Sequence, residues 1–182
     1  QSVVVFGVGG VGLNIVQAAA MVTANPIIGI DLFDSKLEMA KKMGATHCIN
    51  SNNVSDMESE IRNIVWNAGS DVVIETTGLA RIIEKAYELT HPDGKTVLVG
   101  VPSKGDKVSI YTLPIHFNKV LTGSHGGDCI PHKDIPRYVE LCNSGKMELK
   151  ELITHEFPLD KINEAIDTVR AGEAGRVVLN MK

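Results

Sequence analysis

Residues 3–20 read VVVFGVGGVGLNIVQAAA. Four apolar residues, Val3 to Phe6, run directly into Gly7, Gly9, Gly10 and Gly12, and apolar residues then resume at helical spacing. A short, continuously apolar run closed by glycine fits a strand covered on both faces. The helix that follows starts inside the glycine cluster. This strand–turn–helix unit, Gly7-Val-Gly9-Gly10-Val-Gly12, fits the pattern G-x-G-x-x-G. Gly7 permits the tight turn, Gly9 lets the backbone approach a pyrophosphate, and Gly12 lets helix pack closely on strand. The helix amino end offers unpaired N–H groups and a positive dipole end to an anion.

The same unit repeats along the chain. Strands are expected at Ser2–Phe6, Ile27–Asp31, His47–Ile49, Asp71–Glu75, Lys95–Val99 and Val120–Gly123. Helices are expected at Gly10–Thr23, Ser35–Met43, Met57–Trp66 and Leu79–Leu89. Repeated βα units with buried strands imply an α/β fold with a doubly wound parallel sheet, right-handed crossovers and three αβα layers. After Gly100 the order changes. A β-rich piece at Val108–Tyr111 precedes a helix at Pro131–Asn143, a strand near Leu152–Phe157, a helix over Leu159–Arg170 and a last strand at Arg176–Asn180.

The second strand ends at Asp31, nineteen residues beyond Gly12. That is close to the spacing of about 20 at which a carboxylate accepts hydrogen bonds from an adenosine ribose. Capping of the next helix is the alternative role, but Asp34 and Ser35 already suit it. A carboxylate there repels a 2′-phosphate. The pattern therefore predicts NAD as cofactor and disfavours NADP.

Composition bounds the remaining possibilities. The chain has 182 residues, 43% hydrophobic and 22% charged, with a net charge of −4. Those values suit a soluble globular protein and give no reason to expect nucleic acid or a membrane as partner. No apolar run approaches the roughly 20 residues that span a bilayer. The three cysteines, Cys48, Cys129 and Cys142, are scattered, which argues against a disulfide framework and predicts a reducing, cytoplasmic setting. The start at Gln1, straight into a strand, reads as a fragment of a longer chain.

The stretches VVVFGVGGVGLNIVQAA, IIGIDLFDSKLEMAKKMGATHCIN, DVVIETTG, VLVGVP and LITHEFPLDKINEAIDTVRAGEAGRVVLNMK together resemble the zinc-dependent alcohol dehydrogenases of the medium-chain dehydrogenase/reductase superfamily. The resemblance covers essentially the whole chain. It implies a Rossmann coenzyme-binding domain over residues 1–145 and, over 146–182, a segment that in the family returns to the catalytic domain. By position, Gly7, Gly9, Gly10, Val11 and Gly12 would hold the pyrophosphate, with Arg176 pairing to a phosphate. Asp31 and Lys36 would meet the adenosine ribose. Thr76 and Thr77 would run along the cofactor, while Val99, Gly100 and Val101 would lie against the nicotinamide. Ser124, in GSHGG, stands where the family hydrogen-bonds the carboxamide through its backbone.

In this family, zinc polarises the alcohol oxygen so that hydride can leave to nicotinamide. The zinc ligands and proton relay belong to a GroES-like domain that these residues do not include. Cys129 and His132, with His125 and His116 upstream, form the one candidate metal cluster, and they lack a second closely spaced pair. Ordinary loop and capping roles are expected for them. Glu75 is expected to accept hydrogen bonds from nearby backbone rather than act as a general base. No catalytic residue is assigned. The resemblance implies the NAD-binding part of an alcohol dehydrogenase, inactive alone, acting with its missing part on a small alcohol or carbonyl substrate. It also implies a homodimer, paired through Val108–Tyr111. Competing readings are a stand-alone NAD-binding sensor or interaction module, a Rossmann-like methyltransferase, and a zinc-free quinone or enoyl reductase. The last group usually prefers NADPH and lacks an acid where Asp31 stands.

Overall fold

The computed structural model describes residues 1–66, 68–172 and 174–181. Alternation along the first strand explains the layering. In β1 (Val3–Phe6), Val3 and Val5 face one way and Val4 and Phe6 the other, and all four are buried. Val3 and Val5 join Leu13, Val16 and Ala19 of α1 (Gly10–Met21) and Leu37 and Ala40 of α2 (Asp34–Lys42). Val4 and Phe6 join Ile61 of α3 (Met57–Ile64) and Ala86 and Leu89 of α4 (Ala80–Leu89). Helices therefore cover both faces, as continuously apolar parallel strands require.

The sheet has six strands in the order β3-β2-β1-β4-β5-β6, every neighbouring pair parallel. The others are β2 (Ile27–Asp31), β3 (His47–Asn50), β4 (Ser70–Glu75), β5 (Thr90–Leu98) and β6 (Val120–Gly123). The order reverses between β1 and β4, so the carboxyl ends of these two strands open a crevice at the switch point. This is the doubly wound Rossmann architecture expected. After α5 (Pro131–Asn143), a separate pair of parallel strands, β7 (Ile153–Pro158) and β8 (Arg176–Asn180), is linked by α6 (Ile162–Ala171). Leu152, just before β7, is buried in the α1–α2 core and ties this segment to the main sheet.

Three expectations about elements are corrected. Val108–Tyr111 forms no strand. It is fastened to α4 instead: Ser109 N–H donates to Glu84 Oε1 at 2.7 Å and Tyr87 O–H donates to Tyr111 O at 2.9 Å. A β-rich segment is a strand only where a neighbour completes its ladder, and the described residues offer none. β5 begins at Thr90 rather than Lys95. Ser70 pairs with Thr90, and pairing resumes at Val72 with Lys95, so His91–Gly94 bulge from the ladder. The third helix stops at Ile64, short of Trp66, whose φ of +57° lies in the left-handed region.

Candidate functional site

The site grows from the turn between β1 and α1. Gly7 has φ +84°, and a Cβ there would lie 2.5 Å from Thr76 Oγ1. A Cβ on Gly12 would lie 1.9 Å from Gly7 O. Only glycine at both positions lets α1 begin directly against the end of β1. Gly9 caps the helix without a side-chain hydrogen bond, and no acidic residue occupies the first turn. The amino end of α1 thus presents its N–H groups and positive dipole end toward the crevice. Val11 beside it is 53% exposed.

Two cations flank that helix end. A Cβ built on Gly9 would stand 3.9 Å from Lys36 Nζ, and one on Gly10 would stand 3.4 Å from Arg176 Nη2. Lys36 comes from the first turn of α2, Arg176 from the start of β8. Elements far apart in sequence converge on one helix terminus with two positive charges.

Asp31 closes β2. Its Oδ2 accepts from Val8 N–H at 2.9 Å, and its Oδ1 accepts from Leu32 N–H at 2.8 Å and Phe33 N–H at 3.2 Å. Lys36 Nζ lies 4.0 Å from Asp31 Oδ1, and the two side chains are 12% and 8% exposed. The same ammonium rests over the Phe33 ring, 5.1 Å from its centroid. The carboxylate is therefore oriented from three sides and partly neutralised.

The turns after β4 and β5 interlock. Thr76 Oγ1 donates toward the carbonyls of Phe6 and Gly7, at 2.9 and 2.8 Å. Glu75 is fully buried and accepts from Thr77 N–H, Thr77 O–H and Gly78 N–H. Its oxygens serve the turn, the acceptor role expected of it. Both threonine hydroxyl protons are also used within the protein. A Cβ on Gly100 would lie 2.1 Å from Gly78 N, so these turns pass at backbone contact. Val99 N–H and Gly100 N–H both donate to Glu75 O, at 2.8 and 3.0 Å. Val101 is 89% exposed. At the end of β6, Ser124 N–H donates to Leu98 O at 2.9 Å, and Ser124 Oγ accepts from Gly127 N–H at 3.1 Å.

Every cofactor-binding candidate named from the sequence thus lies along the carboxyl edge of the sheet or over the start of α1. Sequence reasoning missed Gln17. A polar side chain on the otherwise apolar inner stripe of α1 was the available signal.

Among the described residues, no three His, Cys, Asp or Glu side chains stand close enough to hold a metal ion. The described residues therefore offer no three-ligand site for a zinc ion. Desolvation, and then the hydrogen bond and charge of Asp134, push the Cys129 thiol above its ordinary value, which disfavours the thiolate a metal needs. A hollow lined by Ser2, Asn25, Trp66, Asp71 and His91 sits at the opposite, amino edge of the sheet. It is remote from the crevice where ligands of open α/β sheets bind. No helix among the described residues is long and apolar enough to cross a membrane.

Comparison with known proteins places these features in context. The family model for zinc-binding dehydrogenases matches residues 10–144. Alcohol dehydrogenase 2 of Oryza sativa subsp. japonica is 37% identical over 182 residues, covering 100% of this chain and 48% of that protein. The chain thus spans about half the length of the curated relatives it matches. The crystal structure of benzyl alcohol dehydrogenase from Acinetobacter calcoaceticus superposes with a TM-score of 0.92 at 30% identity, covering 100% of this chain and 50% of that one. A solved structure from Sinorhizobium meliloti 1021, bound to NADP, has a TM-score of 0.78 at 26% identity, covering 91% of this chain and 48% of that one.

Proposed function

Because the chain belongs to the zinc-binding dehydrogenase family, we propose that it is the NAD-binding portion of an alcohol dehydrogenase. In this reading residues 1–145 form the dinucleotide domain, and 146–182 return over α1 toward the remainder of such an enzyme. One observation carries the dinucleotide assignment: the uncapped amino end of α1 lies between Lys36 and Arg176. Those N–H groups and two cations suit a pyrophosphate. Asp31, its oxygens already oriented by backbone, would accept the adenosine ribose hydroxyls. The backbones of Thr76, Thr77, Val99, Gly100, Val101 and Ser124 would line the path toward the nicotinamide, which supplies the hydride acceptor when bound. The small alcohol or carbonyl substrate and the zinc ion belong, in this reading, to the other half of the enzyme.

Asp31 also carries the choice of NAD over NADP, although a structural neighbour binds NADP. Its carboxylate is nearly buried, with the Lys36 ammonium at 4.0 Å. A 2′-phosphate would have to share that cation with an existing negative charge, and such juxtaposition costs several kcal/mol. The test is a fluorescence titration with both reduced cofactors. NADH is expected to bind at least about tenfold more tightly than NADPH, a difference of roughly 1.4 kcal/mol. Equal affinity would sink the assignment.

A homodimer is part of the same proposal. Val108 and Tyr111 are 41% and 68% exposed, in a segment that pairs with no strand among the described residues. A two-fold partner could supply the missing ladder. Light scattering at micromolar concentration should give twice the chain mass, and a monomer persisting on concentration would refute it. The three unpaired cysteines support a reducing, cytoplasmic setting.

A further inference from the structure

The buried residues of α1 are Gly12, Leu13, Val16, Gln17 and Ala19. Gln17 is the polar one among them, only 6% exposed where amphipathic spacing favours an apolar side chain. Its amide is committed to the backbone of a single residue. Nε2 donates to Glu148 O at 2.8 Å, and Glu148 N–H donates back to Oε1 at 2.7 Å. The side chain imitates a neighbouring strand. Burying an amide is costly unless donor and acceptor are both paired, so the Glu148 backbone is held at one height along α1.

From that anchor the chain runs to the cation-flanked end of the same helix. Glu148 Oε1 accepts from Lys150 N–H at 2.7 Å and Glu151 N–H at 3.3 Å, forming the turn that delivers Leu152 into the core. Thr154 Oγ1 then accepts from Gly175 N–H at 3.1 Å, and a Cβ on Gly175 would lie 2.9 Å from Leu152 O. Gly175 O is 3.0 Å from the Cβ position of Gly10, and Arg176 follows immediately. The C-terminal segment thus meets α1 twice, at Gln17 and, about two turns away, at Gly10. The second contact carries the arginine.

We propose that Gln17 is a positioning residue for dinucleotide binding: its amide fixes the Glu148 backbone on α1 and thereby holds Arg176 over the helix amino end. This rests on the dinucleotide reading above. Were Arg176 held by β8 pairing alone, Gln17 would affect stability without acting through the arginine.

A double-mutant cycle on NADH binding by the 182-residue protein separates the two. Gln17→Met keeps the side-chain length and loses both bonds; Arg176→Met removes the guanidinium. Arg176→Met is expected to raise the NADH Kd about tenfold, as loss of one charge-assisted hydrogen bond would. Gln17→Met is expected to raise it about fivefold. The double variant should bind no more weakly than Arg176→Met alone. Losses that multiply overturn the inference, as does a Gln17→Met protein that binds like wild type. If Gln17→Met melts below the assay temperature, Gln17→Glu, which retains the bond from Glu148 N–H, carries the same cycle, and its outcomes count in the same way. Wild-type protein that binds no NADH overturns the dinucleotide reading itself, and this inference with it. Wild-type binding with multiplying losses overturns the positioning role alone.

Discussion

At the scale of single residues, Asp31 does two jobs with one carboxylate. It anchors the N–H groups of Val8, Leu32 and Phe33 and offers negative charge to the crevice. Removing the charge therefore also disturbs the turn. Asp31→Asn, which keeps one acceptor oxygen, should narrow the NADH-over-NADPH preference about tenfold, since much of the discrimination is repulsion. It should also cost about 1–2 kcal/mol of stability for the backbone groups left unpaired. Parallel titration and urea unfolding check both; an unchanged preference would assign the discrimination elsewhere. Gly12 is governed by space alone. A Cβ there would sit 1.9 Å from Gly7 O, a backbone atom that cannot swing aside. Gly12→Ala should destabilise the fold by about 3 kcal/mol or more, seen as a lowered thermal midpoint even without cofactor.

At the scale of elements, the amino ends of β1 and β4 are clasped through Ser2 and Asp71. Ser2 N–H and O–H donate to Asp71 Oδ2 at 2.7 and 2.9 Å, and Asp71 N–H donates to Ser2 Oγ at 2.9 Å. The Ser2 N–H holds the Asp71 carboxyl below its ordinary value, against partial burial, with the Ser2 hydroxyl adding to the effect. A folded-state value below the unfolded one, about 3.9, contributes stability above that pH and loses it as the folded group protonates. Between pH 7 and pH 3 the urea midpoint of wild type should therefore fall further than that of Asp71→Asn; parallel falls would show that the clasp does not depend on charge. Elements whose evidence is local were legible in the sequence, because β1, β2 and α1 carry their own periodicity and their own glycine stops. Asp31 and the glycine turn were legible for the same reason. Val108–Tyr111 is not a strand because β-rich composition cannot supply a neighbouring one. The early start of β5 is hidden in the sequence because Pro92 and Gly94 look like a turn, while Ser70 already pairs with Thr90 before them. Gln17 is invisible as a contact because its partner lies 131 residues away.

At the scale of the whole molecule, burial is lopsided. β1, β2 and their helices form a dry core, whereas α5 has no buried residue and α6 has only Ala165. Ile135, Val139, Ile166 and Val169 are 58%, 52%, 41% and 58% exposed. In the proposed reading, these exposed side chains are where the remainder of such an enzyme would pack. The chemistry is lopsided in the same way. Hydride leaves an alcohol readily only when charge on its oxygen is stabilised, and a Lewis-acid metal supplies several kcal/mol of that. The described residues provide no cluster able to hold such an ion, and Glu75, the buried carboxylate nearest the switch point, is consumed by its own turn. Forgoing about 4 kcal/mol slows the step roughly a thousandfold. The 182-residue protein, first shown to bind NADH, should therefore form no detectable NADH from a panel of short alcohols and NAD, with or without added zinc. Binding without turnover is the expected pair of results. Zinc-dependent turnover by these residues alone would mean that Cys129 and His132, both at the surface beyond β6, assemble a metal site that the described residues do not display.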